Sequence, residues 1–234
     1  VPGEVVAAAF AVFNPQAVIP AVTKGWTLTD AATICQARDD GAIAQLRRIL
    51  GDDPAGLQRV RTVLSRAIEP LRPEGRPLYA GLRSLAMPGT DLGAVWRMAD
   101  MLREFRGDSH TGSWISAGFD ATEIGMLSEL YWGLPPRSYS RTRAWTEDQF
   151  DGAFERLASR GYLDSDGLTT AGRQAREDIE IHTDVQMAGA IAAIGDDAEE
   201  LFSTLEPWGA AVRGGLGYLT SGPHDLADAA QRRP

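Results

Sequence analysis

The sequence predicts a mainly α fold with one very short β-hairpin. Three observations carry this. Apolar residues recur at spacings of three and four along most of the chain. Helix starts are marked by capping residues at Asn14, Asp91, Asp120 and Thr146. Strand-like pattern is confined to a few residues around Asp164-Ser165-Asp166-Gly167.

The elements follow in order. Residues 2–13 are apolar and helical, and Asn14 caps a turn that begins at Pro15, a favoured first helical position. Thr27 or Thr29 opens a helix reaching Leu50. Gly51-Asp52-Asp53-Pro54 stops it and starts the next, in which Leu57, Val60, Leu64, Ala67, Ile68 and Leu71 keep the helical period. Arg72-Pro73-Glu74-Gly75 is a turn before a helix at 77–86. Asp91 caps a long helix towards Gly118, with weak points at Gly107 and Gly112. Asp120 caps 121–132, and a connector, GLPPRSYSRTRA, leads to a helix starting at Thr146, which forms a capping box with Gln149. After the hairpin, a helix runs from Thr169 or Thr170 to Ile194. A last one covers 196–206 and continues past Pro207. Three segments are expected: a helical domain at 1–118, a second domain with C-terminal helices at 119–219, and a flexible tail at 220–234.

Composition narrows the function classes. The chain has 234 residues, 44% hydrophobic and 24% charged, enough for one large domain or two small ones with a real core. The single cysteine, Cys35, excludes an intramolecular disulfide and a cysteine-based zinc site. No apolar run approaches the ~20 residues of a membrane span, and the start lacks the basic residues of a signal peptide. A cytoplasmic protein that contacts no membrane is the expectation. Only Lys24 is a lysine among 23 basic residues, the codon style of a high-GC, actinobacterial genome. Residues 1–120 carry no net charge, so the whole formal charge of −9 falls on residues 121–234.

The most specific signal lies at 120–180. In FERLASRGYLDSDGLTTAGRQ, Leu157, Gly161, Leu163, Leu168, Thr169 and Gly172 match a recognition helix ending in Leu-x-x-x-Gly-Leu, then a wing and a Leu-Thr-x-x-Gly helix start. This resembles the winged-helix domain of MarR-type regulators over about 60 residues. The stretches VPGEVVAAAFAVFNP, GRPLYAGLRSL and LREFRGDSHTGSWISAGFD extend the likeness to nearly the whole chain. They are similar to a little-characterised actinobacterial helix-turn-helix family related to MarR. Its members begin with a further helical segment, so a missing N-terminal segment is expected before Val1. Where that family has a His-Arg-Gly-Asp-Gly-His run, this chain has Phe105-Arg106-Gly107-Asp108-Ser109-His110, without the first histidine.

The resemblance implies a DNA-reading helix at 146–160, but its charge opposes that use. Glu147, Asp148, Asp151 and Glu155 stand against Arg156 and Arg160, and the wing tip carries Asp164 and Asp166. Duplex binding draws most of its affinity from neutralised phosphates. The counter-signal is the connector, where Arg137, Arg141 and Arg143 with Tyr139 suit phosphate contacts. The other reading of that connector is a solvated loop paired with the acidic helix beside it.

Candidate chemistry centres on Val95, Ala99, Leu102, Arg106 and His110, which step along one helical face. An arginine and a histidine on such a stripe are either bonded within the core or lining a pocket. Asp108 is expected to cap or face a neighbouring helix. Asp178 and His182 lack a third ligand, so no metal and no cofactor is expected. Trp96, Trp114, Tyr131 and Trp132, with Arg106 and His110, are the candidate ligand-binding residues. The leading functional reading is a MarR-like protein that binds a small apolar or aromatic molecule between its halves, with weak or no DNA binding. A homodimer is compatible with it. Two alternatives stand beside it: a ligand-responsive DNA-binding regulator, and an enzyme of a specialised-metabolite pathway that uses His110 as acid/base, Arg106 for an anion and Asp108 in support.

Overall fold

A computed structural model of the chain describes residues 1–215; the expected tail at 220–234 lies outside the described residues. The architecture is mainly α with one two-stranded hairpin. In chain order the helices are α1 (Gly3–Phe10), α2 (Pro15–Gly25), α3 (Ala31–Leu50), α4 (Leu57–Ile68), α5 (Pro77–Arg83), α6 (Asp91–Ser116) and α7 (Ala121–Tyr131). A short 3-10 turn (Ser140–Arg143) precedes α8 (Glu147–Ser159). The strands β1 (Leu163–Asp164) and β2 (Gly167–Leu168) follow, then α9 (Thr170–Ile194) and α10 (Ala198–Gly214).

The chain folds as two compact units that interleave in sequence. The first contains Val1–Thr27 and His110–Thr183; the second contains Leu28–Ser109 and the segment from Asp184. Both α6 and α9 therefore contribute one end to each unit. The boundary expected at residue 118 falls inside the first unit, because the N-terminal helices pack with the connector and α8. Buried Asn14 explains this: its Oδ1 caps α2 by accepting from Gln16 N, while its Nδ2 donates to Ala144 O at 3.0 Å. Trp145 Nε1 donates to Val12 O, tying the same segments again.

Local chemistry sets the element ends. Asp120 and Thr146 each form a complete capping box, with Glu123 and Gln149 respectively. The start of α3 is capped by Asp30, which accepts from Thr33 N, rather than by Thr27 or Thr29. Helix α6 runs unbroken through Gly107 and Gly112, and α10 continues through Pro207. Gly161 ends α8 at φ +73°, a conformation that costs glycine nothing. A Cβ on Gly172 would sit 2.2 Å from Tyr162 O, so glycine lets α9 start hard against the hairpin.

Each unit has its own core. In the first, Ile124, Leu127, Phe150, Leu157, Leu163 and Ile179 of the 120–180 stretch pack with Trp114 and Phe119. In the second, Leu57, Val60, Val63 and Leu64 of α4 pack with Leu92, Val95 and Met98 of α6 and Leu201 of α10. A smaller cluster joins Leu71, Tyr79, Met101, Phe105 and Ala190.

Candidate functional site

The buried face of α6 is displaced from the expected stripe. Ala94, Met98, Met101, Phe105 and Asp108 are buried, whereas Ala99 is exposed and Leu102, Arg106 and His110 are half-buried. Arg106 lies 3.5 Å from the Asp184 carboxylate and keeps 42% of its side chain exposed. Asp108 accepts from Tyr79 N at 2.9 Å and so closes the start of α5. Burial pushes its carboxyl above the usual range, against the lowering effect of the Tyr79 and Leu78 amides and of Arg76. Beside it, Ser109 Oγ accepts from Arg76 Nε, and Arg76 Nη2 donates to Gln186 Oε1.

His110 belongs to the first unit. Its Nδ1 lies 3.1 Å from Thr183 Oγ1, and that hydroxyl already donates to Ile179 O at 2.7 Å. The hydroxyl proton being committed, Nδ1 must carry the hydrogen and donate. Trp114 is a core residue whose Nε1 has no hydrogen-bond partner among the described residues. Tyr131 and Trp132 meet edge to face at 5.6 Å, and the Tyr131 hydroxyl donates to Glu177. Trp96, Arg106 and Asp108 lie in the second unit; His110, Trp114, Tyr131 and Trp132 lie in the first.

The connector is organised by a residue the sequence reading missed. Glu129, fully buried in the last turn of α7, accepts four hydrogen bonds. Arg137 N donates to its Oε2 at 2.6 Å; Tyr139 N, Ser140 N and Ser140 Oγ donate to its Oε1 at 2.7, 2.6 and 2.9 Å. A glutamate followed by a proline-rich loop gives no sequence signal of this. With the loop pinned, Arg137 pairs with Glu147 and Asp151 of α8. Arg143 stacks on Phe13 and Tyr139 and donates to the tyrosine hydroxyl. Arg156 pairs with Asp120 and Glu123, and Arg160 with Glu123. Arg141 is exposed, with no ion pair among the described residues. Glu147, Asp148, Asp151 and Glu155 of α8 and Asp164 and Asp166 of the hairpin are all exposed.

The second unit holds an apolar cavity of about 260 Å³. Leu46 and Leu50 of α3, Leu92, Val95 and Trp96 of α6, and Leu205, Trp208 and Val212 of α10 form its walls, and Arg213 stands at its edge. Of the candidate ligand-binding residues, Trp96 lines it. Arg38 stacks over Trp96 at 4.8 Å and Arg97 at 5.4 Å. Arg97 is almost wholly buried; its Nη2 donates to both Asp39 oxygens, while Nε and Nη1 have no partner among the described residues. Arg38 Nη2 lies 2.7 Å from Asp100 Oδ2, an ion pair without hydrogen-bond alignment. A larger cavity of about 690 Å³, no more open than the first, lies along α3 and residues 85–90, lined by Cys35, Asp39 and Asp40 among others. Among the described residues, no group of three His, Cys, Asp or Glu is placed to hold a metal ion, and no helix is long and apolar enough to cross a membrane.

The order α7, pinned connector, α8, hairpin, α9 is that of a helix-turn-helix protein. The chain belongs to the helix-turn-helix family, whose model matches residues 1–218. No curated protein and no solved structure matches it.

Proposed function

We propose that this protein is a MarR-like winged-helix protein that binds a small apolar or aromatic molecule in the cytoplasm and binds duplex DNA weakly or not at all. The observation that carries it is the cavity walled by Trp96, Trp208 and leucines. At about 260 Å³ it is just below the ~300–1,000 Å³ common for drug-sized ligands, which fits a small occupant. The DNA half of the proposal rests on charge. The face of α8 that would enter a groove is carboxylate-rich, and Arg137, Arg156 and Arg160 are already neutralised by carboxylates. Phosphates would have to displace those partners.

A ligand-responsive DNA-binding regulator is the second reading. Family membership and the exposed Arg141 favour it. One pair of titrations separates them. A neutral apolar probe such as octanol should shift the tryptophan emission to the blue and raise the melting temperature by mass action. Duplexes selected from a random pool should bind no tighter than about 10⁻⁷ M at physiological salt. Affinity of ~10⁻⁸ M or better, typical of dedicated regulators, reduced by Arg141→Ala, establishes the second reading instead.

A further inference from the structure

The Trp96/Trp208 cavity has one charged wall residue, and its sign is informative. Apart from Arg213, the lining side chains are Leu46, Leu50, Leu92, Val95, Ala99, Leu205, Val212 and the two tryptophans, with Gly209 between them. Arg213 is exposed at the end of α10 and has no carboxylate partner among the described residues. Several other described arginines, Arg48, Arg72, Arg141 and Arg173 among them, likewise make no ion pair; Arg213 differs from them in lining an apolar cavity. Arg38, Arg59, Arg66, Arg97, Arg137, Arg156 and Arg160 are each matched to a carboxylate. The second cation near the cavity, Arg38, stacks on Trp96 but is engaged by Asp100. Among the described residues, Arg213 is the one cation lining this cavity, and it makes no ion pair.

We propose that the occupant of this cavity is a small amphipathic acid: an apolar body among the leucines and indoles, and one carboxylate paired with Arg213. This rests on the ligand-binding reading above and names its ligand class. The volume equals about nine waters' share of liquid volume, which suits a body of about eight to ten carbons. The guanidinium offers a two-pronged donor to a carboxylate, a geometry an ammonium ligand cannot use and a neutral one uses poorly. A cationic ligand is disfavoured by Arg213 itself, and a polar neutral one by walls that offer it no partners.

Octanol and octanoate share an apolar body and differ in charge, and neither absorbs where tryptophan does. Both are titrated below their aggregation range into the full chain, followed by tryptophan fluorescence and calorimetry. The wild type is expected to bind octanoate about tenfold more tightly than octanol, the scale of one hydrogen-bonded charge pair. That preference should shrink as salt is raised. Arg213→Gln is expected to bring the two affinities within about twofold, with octanol unchanged, and Arg213→Lys to restore part of the preference. Arg213 is exposed, so these variants retain the fold, which their melting curves check. Equal binding of octanol and octanoate by the wild type overturns the acid inference and leaves the apolar cavity standing. A preference that survives Arg213→Gln also overturns it. If neither probe binds, the ligand-binding reading itself fails. If octanoate affinity falls as protein concentration rises, a second copy of the chain covers the cavity, and the inference is again overturned.

Discussion

Glu129 offers the sharpest test of how the connector is built. A carboxylate in the last turn of a helix meets the negative end of the helix dipole, and this one is fully buried. Four donors offset that cost, three of them backbone amides of the connector. Glu129→Gln can keep an oxygen at the Oε1 position, satisfying Tyr139 and Ser140. It then places an amide NH2 against Arg137 N, losing one charge-assisted bond and setting donor against donor. Such a loss costs about 1.5–3 kcal/mol. Glu129→Ala orphans all four donors and leaves a void, and should cost about 3–5 kcal/mol. Against a total stability of ~5–15 kcal/mol, the alanine variant should be at the edge of folding. Urea unfolding followed by circular dichroism measures both, and limited proteolysis at 134–146 reports the connector itself. If alanine costs less than about 1 kcal/mol, or glutamine costs as much as alanine, the carboxylate does not organise the loop.

Two further outcomes follow from the same unit. His110 donates to Thr183, whose hydroxyl proton is spent on Ile179 O; His110→Ala should cost about 1 kcal/mol, the low end for a half-buried partner. Unchanged stability in thermal melts would refute this structural role. Asp120 is pushed up by burial but held below the usual carboxylate range by the Glu123 amide, the Thr122 hydroxyl and Arg156. Its folded pKa is depressed, so its contribution is fully present above the unfolded value near 3.9 and is lost as pH falls through the folded value. Asp120→Asn should therefore flatten the acid limb of stability below about pH 4; an unchanged acid limb refutes the assignment.

The local code of this fold is short-range, which is why much of it is legible. Asn14-Pro15, Asp120 with Glu123, Thr146 with Gln149, and Gly161 each specify an element end through neighbours in sequence. The Leu157, Leu163 and Leu168 positions fall in or against the first core as their spacing requires. What spacing does not carry is pairing at a distance. The N-terminal helices join the connector through Asn14 and Trp145, more than a hundred residues apart in sequence, so a linear cut near 118 has no counterpart in the units. Helix α6 shows a subtler limit. Its hydrophobic pattern is weak because its buried face also takes Arg97, Asp100 and Asp108, and counting apolar residues alone shifts the inferred face by one position.

The same long-range logic accounts for the candidate site. Trp96 was recognisable as an aromatic on a helix, but its neighbours Leu46, Leu50, Leu205 and Trp208 come from helices far along the chain. Arginine is almost the only basic residue available here, so its function is decided by where carboxylates lie. In the first unit Glu147 and Asp151 of α8 engage Arg137, and Asp120 and Glu123 at the start of α7 engage Arg156 and Arg160. In the second unit Asp39 and Asp100 engage Arg97 and Arg38 beside Trp96, and Arg213 lines the cavity without an acid partner among the described residues. One composition thus yields two different settings: in the first unit Arg137, Arg156 and Arg160 pair with carboxylates, while in the second Arg213 lines an apolar cavity and makes no ion pair among the described residues. The charge of −9 is no guide to either, because electrostatic recognition at these distances depends on which charges are paired locally and not on their sum.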